Sequence, residues 1–142
     1  MDTISPIPTL LAFIVCDTVI HDAASQKKTL VGIFDRLLSP SEPITVNSMA
    51  LYAKMVEGSG EYTFKIRLVN LKDESQILQL EAKGSWIVAD SPLELGMNFK
   101  GVVLKEFGTY EFQIFANDAY LGRAIFKADK LQVPPAGPVR GN

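Results

Sequence analysis

The chain has 142 residues, of which 47% are hydrophobic and 21% are charged, and its formal net charge is −2. This is the composition of one ordinary globular domain that is long enough to bury a continuous core. Acidic and basic residues are interspersed, and no patch is basic enough to bind a phosphate backbone, so we expect no nucleic-acid partner. The single cysteine, Cys16, cannot form an internal disulfide and favours a reducing compartment.

The N-terminal region contains an apolar run at residues 10–16 that is similar to the hydrophobic part of a signal peptide. Asp2 is the only charged residue before it, so the basic segment of a signal peptide is missing, and Pro6 and Pro8 interrupt the lead-in. The run is too short to span a membrane. We therefore predict a buried strand, a cytoplasmic protein and no membrane contact.

Apolar and polar residues alternate along most of the chain, which is the pattern of strands with one dry and one wet face. A first strand is predicted at 9–20, and a polar turn at 21–28 leads to a second strand at 29–38. Pro40 and Pro43 then interrupt strand pairing. The other predicted strands lie at 46–56, 61–71, 76–83, 93–104, 109–116 and 119–133.

The connections between these strands are short, and they define one domain at residues 1–133. Residues 57–60 have the composition of a hairpin turn. The pattern allows a short helical turn near 40–47 or 87–92 and predicts no longer helix. Residues 134–142 are rich in proline and glycine, so we expect a disordered tail.

The late strand at 109–116 begins with a glycine and a tyrosine, Gly108 and Tyr110. This is similar to the tyrosine corner of immunoglobulin-like sandwiches, in which the tyrosine hydroxyl bonds to the backbone of the preceding turn. Together with the regular spacing of the turns, it predicts an all-β, immunoglobulin-like antiparallel β-sandwich of about seven to nine strands.

The first two predicted strands depart from the alternation. Residues 10–16 are apolar on both faces, and Val31, Ile33 and Phe34 do not keep one parity. A strand that is apolar on both faces must be covered on both, since large exposed apolar patches are rare on monomers. The cover is either a loop or short helix of the same chain, or a second subunit or protein partner.

Two aspartates in these strands form a candidate site. If the strands pair about a turn centred near Gln26, Asp17 and Asp35 lie directly opposite each other, which is destabilising unless something relieves the repulsion. An arginine (Arg36 or Arg123), a bound cation, a shared proton or a different register would do so. His21 and Asp22 lie at the hairpin end and would enlarge the site.

For the acidic residues and His21 of this hairpin, the pattern favours structural hydrogen bonding at the strand ends over a Ca²⁺ site or catalytic carboxylates. No D-x-D-x-D spacing is present, and Cys16 and His21 are roughly 16 Å apart on opposite faces of an extended strand, too far for a nucleophile and its base. We predict no metal, no cofactor and no enzymatic activity. The candidate functional residues of the hairpin are Asp17, His21, Asp22, Asp35 and Arg36.

Three aromatic residues, Tyr52, Trp86 and Tyr120, do not follow the inward parity of their neighbours. On the surface they would form a stacking platform for a sugar or peptide, although a buried tryptophan at a sandwich corner is the commoner arrangement. The chain contains no G-x-S-x-G, P-loop, CxxC, HExxH or G-x-G-x-x-G motif.

Three separated blocks resemble a bacterial family of small proteins of unknown function. The blocks are CDTV at 16–19 with Asp22 and LVGIFD at 30–35, the segment GEYTFKIRLV at 60–69, and the closing GTYEFQI at 108–114 with LG at 121–122 and Phe126. The resemblance covers roughly residues 10–130. It implies an immunoglobulin-like sandwich in a bacterial cytoplasm and assigns no catalytic or binding residue.

The leading functional hypothesis is a non-enzymatic protein-interaction or assembly module that binds a protein partner or a second copy of itself. It would act through a strand edge, a loop end or the apolar first hairpin. The alternative is a small-ligand or carbohydrate-binding sandwich that uses Trp86 and the tyrosines, and this alternative requires an exposed indole.

Overall fold

The computed structural model describes residues 5–88 and 90–132, and the regular elements in this part of the chain are all β-strands. They are β1 (Thr9–His21), β2 (Lys28–Ile33), β3 (Arg36–Ser39), β4 (Ile44–Val56), β5 (Gly60–Asn70), β6 (Gln76–Trp86), β7 (Leu93–Leu104), β8 (Gly108–Ala116) and β9 (Ala119–Lys130). All eight predicted strands are present, and the second is divided into two. Within the described ranges, no helix is long and apolar enough to cross a membrane.

The strands form two sheets that pack face to face. The first sheet has the order β2-β1-β4-β7, and the second has the order β3-β9-β8-β5-β6. The strands β1-β4-β7 and β9-β8-β5-β6 correspond to A-B-E and G-F-C-C′ of an immunoglobulin-like sandwich. The predicted all-β immunoglobulin-like sandwich is therefore confirmed. Its neighbouring strands are antiparallel except β3 and β9, which pair in parallel.

The core between the sheets is built from alternate residues of the long strands. Phe64, Ile66 and Leu68 of β5 are fully buried, and so is Phe112 of β8. Phe126 of β9 packs against Phe112 with 5.9 Å between the ring centroids. Burial of each such side chain contributes roughly 1.5–3 kcal/mol, so this apolar layer is the main source of stability.

Two connections differ from the prediction. The strand predicted at 29–38 breaks at Phe34 and Asp35, because the chain leaves the first sheet there and joins the second as β3. Residues 57–60 do not form a hairpin, since β4 pairs with β1 and β7 whereas β5 pairs with β6 and β8. This segment instead carries the chain from one sheet to the other.

The remaining predictions concern the short connections and the C-terminus. Residues 40–47 contain no helical turn, whereas in 87–92 the Ser91 N–H donates to the Val88 carbonyl at 3.1 Å and closes a single turn. The last strand ends at Lys130, three residues earlier than expected. The tail predicted at 134–142 lies outside the described residues.

The predicted tyrosine corner is present at the start of β8. The Tyr110 hydroxyl donates a hydrogen bond to the Glu106 carbonyl at 2.5 Å, and Tyr110 is buried. Gly108 lies between them with a φ of +153°, a backbone conformation that glycine adopts without steric cost. Burial also raises the pKa of Tyr110, so its hydroxyl stays protonated and remains a donor.

We expect Tyr110→Phe to lower the free energy of unfolding by about 1 kcal/mol, because it removes this bond and leaves the Glu106 carbonyl without its partner. Urea denaturation measures the change. Tyr120→Phe is the matched control, since the Tyr120 side chain is exposed. Equal effects of the two substitutions would show that the corner contributes nothing to stability.

Candidate functional site: the first hairpin

The first hairpin, defined here as residues 17–33, separates from β4, the strand with which the first part of β1 pairs. β1 pairs with β4 only as far as Cys16, which lies opposite Ala50. Beyond that point the Ser48 hydroxyl donates a hydrogen bond to the Asp17 carbonyl at 2.8 Å. The hairpin then lies across the outer face of β4 and β7, where the contacts described next hold it.

The outer face of β7 accommodates the backbone of β1. Leu95 and Met97 pack against the core, so Gly96 and Asn98 point outward. The Val19 N–H donates to Asn98 Oδ1 at 3.0 Å, and Asn98 Nδ2 donates to the Val19 carbonyl at 3.2 Å. A Cβ on Gly96 would lie 2.9 Å from Val19 Cγ1, so the glycine provides the space that this side chain needs.

A small apolar cluster lies between the hairpin and the sheet. It consists of buried Cys16, Val19 and Ala50, with Leu30 and Tyr52 packed against them. Cys16 is completely buried, as predicted for a small hydrophobic residue in this run. Burial raises the pKa of the Cys16 thiol, which disfavours the nucleophilic thiolate.

A carboxylate links the hairpin to β4 and β7. Lys28 Nζ lies 3.5 Å from Glu94 Oε1, and the Tyr52 hydroxyl donates a hydrogen bond to Glu94 Oε2. Partial burial and the adjacent carboxylate raise the pKa of Tyr52 to about 12. The Tyr52 hydroxyl, and after it the charge of Lys28, lower the pKa of Glu94. Glu94 is therefore ionised at neutral pH and holds both partners.

The cover predicted for the apolar first strands comes partly from the same chain. Phe13 packs against the core, and the hairpin covers part of the outer face of its own sheet. Ile20, Val31 and Ile33 nevertheless remain 49%, 44% and 63% exposed. Cover by a second subunit or protein partner stays a prediction for this surface.

Asp17 and Asp35 do not face each other, so that prediction is wrong. The register pairs Cys16 with Ile33 and Thr18 with Val31, which places Asp17 beside Gly32. The register centres the turn between residues 24 and 25, one and a half residues earlier than the expected centre at Gln26. Gly32 has a φ of +68°, which favours glycine, and a Cβ there would displace the Asp17 carboxylate.

The remaining candidate residues have local roles. Asp22 closes the turn, since its carboxylate accepts hydrogen bonds from the Ala24 N–H at 3.0 Å and the Ser25 hydroxyl at 2.8 Å. These bonds, that from Ser25 first, lower the pKa of Asp22. This is the strand-end hydrogen bonding that the sequence favours. His21 lies opposite Lys28 at the end of the hairpin and is exposed.

The last two candidates lie where the chain enters the second sheet. The Asp35 carbonyl accepts a hydrogen bond from the Lys127 N–H at 2.9 Å, and Arg36 Nε lies 3.1 Å from Asp129 Oδ2. The register therefore separates Asp17 from the Arg36 ion pair. Across residues 5–88 and 90–132, no three histidine, cysteine or acidic side chains gather as metal ligands would.

The three aromatic residues do not form one platform. Trp86 is only 7% exposed, and its indole N–H donates to the Ser91 carbonyl at 3.0 Å. Tyr52 is part of the cluster under the hairpin. Tyr120 packs on Phe115 at 5.6 Å between ring centroids. The ligand-binding alternative required an exposed Trp86, and it loses that basis.

Over residues 11–129 the chain matches the model for the family of unknown function DUF6941, and it belongs to that family. This confirms the predicted membership of a family of unknown function. No curated protein matches the chain.

One solved structure is similar to this chain at a TM-score above 0.5. The alkylpurine DNA glycosylase AlkC of Pseudomonas fluorescens, bound to DNA with an abasic-site analogue, has a TM-score of 0.53 at 8% identity. The match covers 86% of this chain and 30% of the glycosylase, so the chain spans under a third of that protein. At this identity the likeness concerns the fold alone.

Two further structures are similar at a TM-score of 0.40. An immunoglobulin-like protein of Pseudomonas aeruginosa is 14% identical, with 89% of this chain and 97% of that chain covered. The sensor domain of the anti-sigma factor RsgI4 of Pseudobacteroides cellulosolvens is 16% identical, with 70% and 94% covered.

We expect Asn98→Ala to release the hairpin from β7 and lower the free energy of unfolding by about 1–3 kcal/mol, because two hydrogen bonds to the Val19 backbone are lost. Hydrogen exchange at the Val19 amide should accelerate. Asn47→Ala, an exposed position on β4, is the control. Unchanged exchange at Val19 in the Asn98 variant would contradict this role.

The lowered pKa of Glu94 predicts a pH-dependent contribution to stability. The native carboxylate stabilises the fold above its ordinary pKa of about 4.3, and this stabilisation is lost as the pH falls below that value towards the lowered native pKa. The difference in unfolding free energy between wild type and Glu94→Gln should therefore be largest at neutral pH and shrink in acid. Urea titrations across the acid range measure it, with the exposed Glu81→Gln as control.

Proposed function

We propose that this protein is a non-enzymatic protein-interaction or assembly module of a bacterial cytoplasm, and that it binds its partner along the free edge of β2. The observation that carries the proposal is the chemistry of that edge. Residues 29–33 contain no charged side chain, and Val31 and Ile33 are 44% and 63% exposed.

The other free edges of the two sheets have features that discourage pairing with another chain. β3 has only four residues and begins with Arg36. β6 presents exposed charges at Glu81 and Lys83, and β7 has Glu94 and Lys100. Short edges and charged edges are the usual protection against unwanted strand pairing. Residues 29–33 of β2 carry no charged side chain, and an uncharged edge of this kind is typical of a strand that pairs with a partner.

Strand addition explains how such an edge would bind. Half of the N–H and C=O groups of an edge strand point away from its only neighbour, and an extended segment of a partner pairs with them. Val31 and Ile33 then supply the apolar contacts, with Ile20 of β1 on the adjacent strand. The hairpin is held to β7 through Asn98, so the edge is presented in a fixed position.

Catalytic and DNA-binding functions have less support. Asp22 closes the hairpin turn, and the register separates Asp17 from Asp35, so these acidic residues do not converge as catalytic carboxylates would. One protein with this fold, the glycosylase AlkC, is bound to DNA in its structure. The present chain has a net charge of −2 and interspersed acids and bases, which favours a protein partner.

We expect Val31→Lys to reduce partner capture by at least tenfold, because a charge replaces an apolar contact at the centre of the edge. Tagged wild-type and variant proteins are compared by affinity capture from the native host's lysate with quantitative mass spectrometry. Ile87→Lys is the control, since Ile87 is 93% exposed in the β6–β7 connection. Circular dichroism verifies that both variants fold. Equal recovery by all three proteins would contradict the proposed edge.

A further inference from the structure

The segment that contains β2 carries a positive charge near one end and a negative charge near the other. Counting every second residue gives Lys27, Thr29, Val31, Ile33 and Asp35, with a base at one end and an acid at the other. Lys27 precedes β2 by one residue, and Asp35 follows it by two. All five residues are exposed. Neither Lys27 nor Asp35 forms an ion pair within the described ranges.

We infer that the partner of this edge is a second copy of the same chain, which pairs antiparallel with it about a two-fold axis at Val31. This inference rests on the proposed function of the β2 edge. Val31 would lie opposite Val31 of the partner subunit, and Thr29 opposite the partner's Ile33. Lys27 would lie beyond the end of this ladder, near the partner's Asp35, which stands where the chain passes into the second sheet. The same ion pair would recur at the other end by symmetry.

This register is the one that matches the charges. An axis one residue earlier, at Leu30, would place Lys27 opposite an isoleucine and leave both charges of each copy without a partner. Lys28 is not available to replace Lys27, because it is largely buried and already lies 3.5 Å from Glu94. Opposite charges placed symmetrically about one residue stabilise an antiparallel self-pairing edge, whereas binding of a foreign peptide gives no reason for that symmetry.

The resulting dimer would have one continuous sheet across both copies, in the order β7-β4-β1-β2 followed by the same strands in reverse. Both free β2 edges disappear on pairing. The Val31–Val31 pair and the two Thr29–Ile33 pairs would stabilise this ladder, and opposite charges at its ends would set the register. This also supplies cover for Val31 and Ile33, the exposed apolar side chains of β2.

A charge-exchange experiment tests both the partner and the register. Lys27→Glu creates two repulsive pairs in its own dimer, and so does Asp35→Lys. We expect each variant alone to dimerise about tenfold more weakly than wild type in sedimentation equilibrium. An equimolar mixture of the two should recover wild-type affinity as a heterodimer, because the glutamate introduced in one chain then lies opposite the lysine introduced in the other. Native mass spectrometry of variants with different tags detects the heterodimer.

The outcomes separate this inference from the proposed function. Wild-type dimers that Val31→Lys disrupts, together with recovery in the mixture, support both. A dimer that the charge variants do not weaken, or a mixture that recovers nothing, overturns the register and the self-pairing inferred from it. A strictly monomeric wild type overturns self-pairing, and the proposed edge function then stands only if capture of another protein still depends on Val31. Circular dichroism of each variant excludes loss of folding as the cause.

Discussion

The two hydrogen bonds between Asn98 and the backbone of Val19 determine where the first hairpin lies. β1 stops pairing with β4 at Cys16, and from there its backbone needs other partners. The Asn98 amide supplies a donor and an acceptor at once, as a neighbouring strand would. Gly96 allows the close approach, and Glu94 holds Lys28 and Tyr52 beside it. Three successive outward positions of β7 thus fix the hairpin and leave β2 as an edge.

In that arrangement, one face of the hairpin packs against the protein and the other faces solvent. The face with Val19 and Leu30 packs on the sheet, whereas Val31 and Ile33 remain in solvent. Among the polar candidates, Asp22 closes the turn of the hairpin, and Asp17 lies beside Gly32. The surface that β2 leaves for a partner consists of backbone and aliphatic side chains.

Local patterns predicted the strands and the fold class well, because alternation and turn residues act over a few positions. The tyrosine corner was predictable for the same reason, since Tyr110 and Glu106 are neighbours in sequence. The hairpin contacts were not, because Asn98 and Val19 are distant in the chain and no short pattern pairs them. One signal was present: Gly96 is a glycine at an outward position within a strand, which often marks a close backbone approach. The register of Asp17 failed by a small error in the turn centre, which shifts every cross-strand partner.

The parallel pairing of β3 with β9 has a consequence for synthesis on the ribosome. β3 emerges before β4 to β9, but its hydrogen-bonding partner, β9, is the last of the described strands to do so. Contacts between such distant segments form late, and the second sheet cannot be completed until residues 119–130 are available. During that interval the nascent chain already contains the uncharged stretch of β2, in close proximity to identical chains on the same messenger. Dimerisation along that edge would compete with non-native aggregation, so the order in which the strands emerge bears directly on the yield of folded protein.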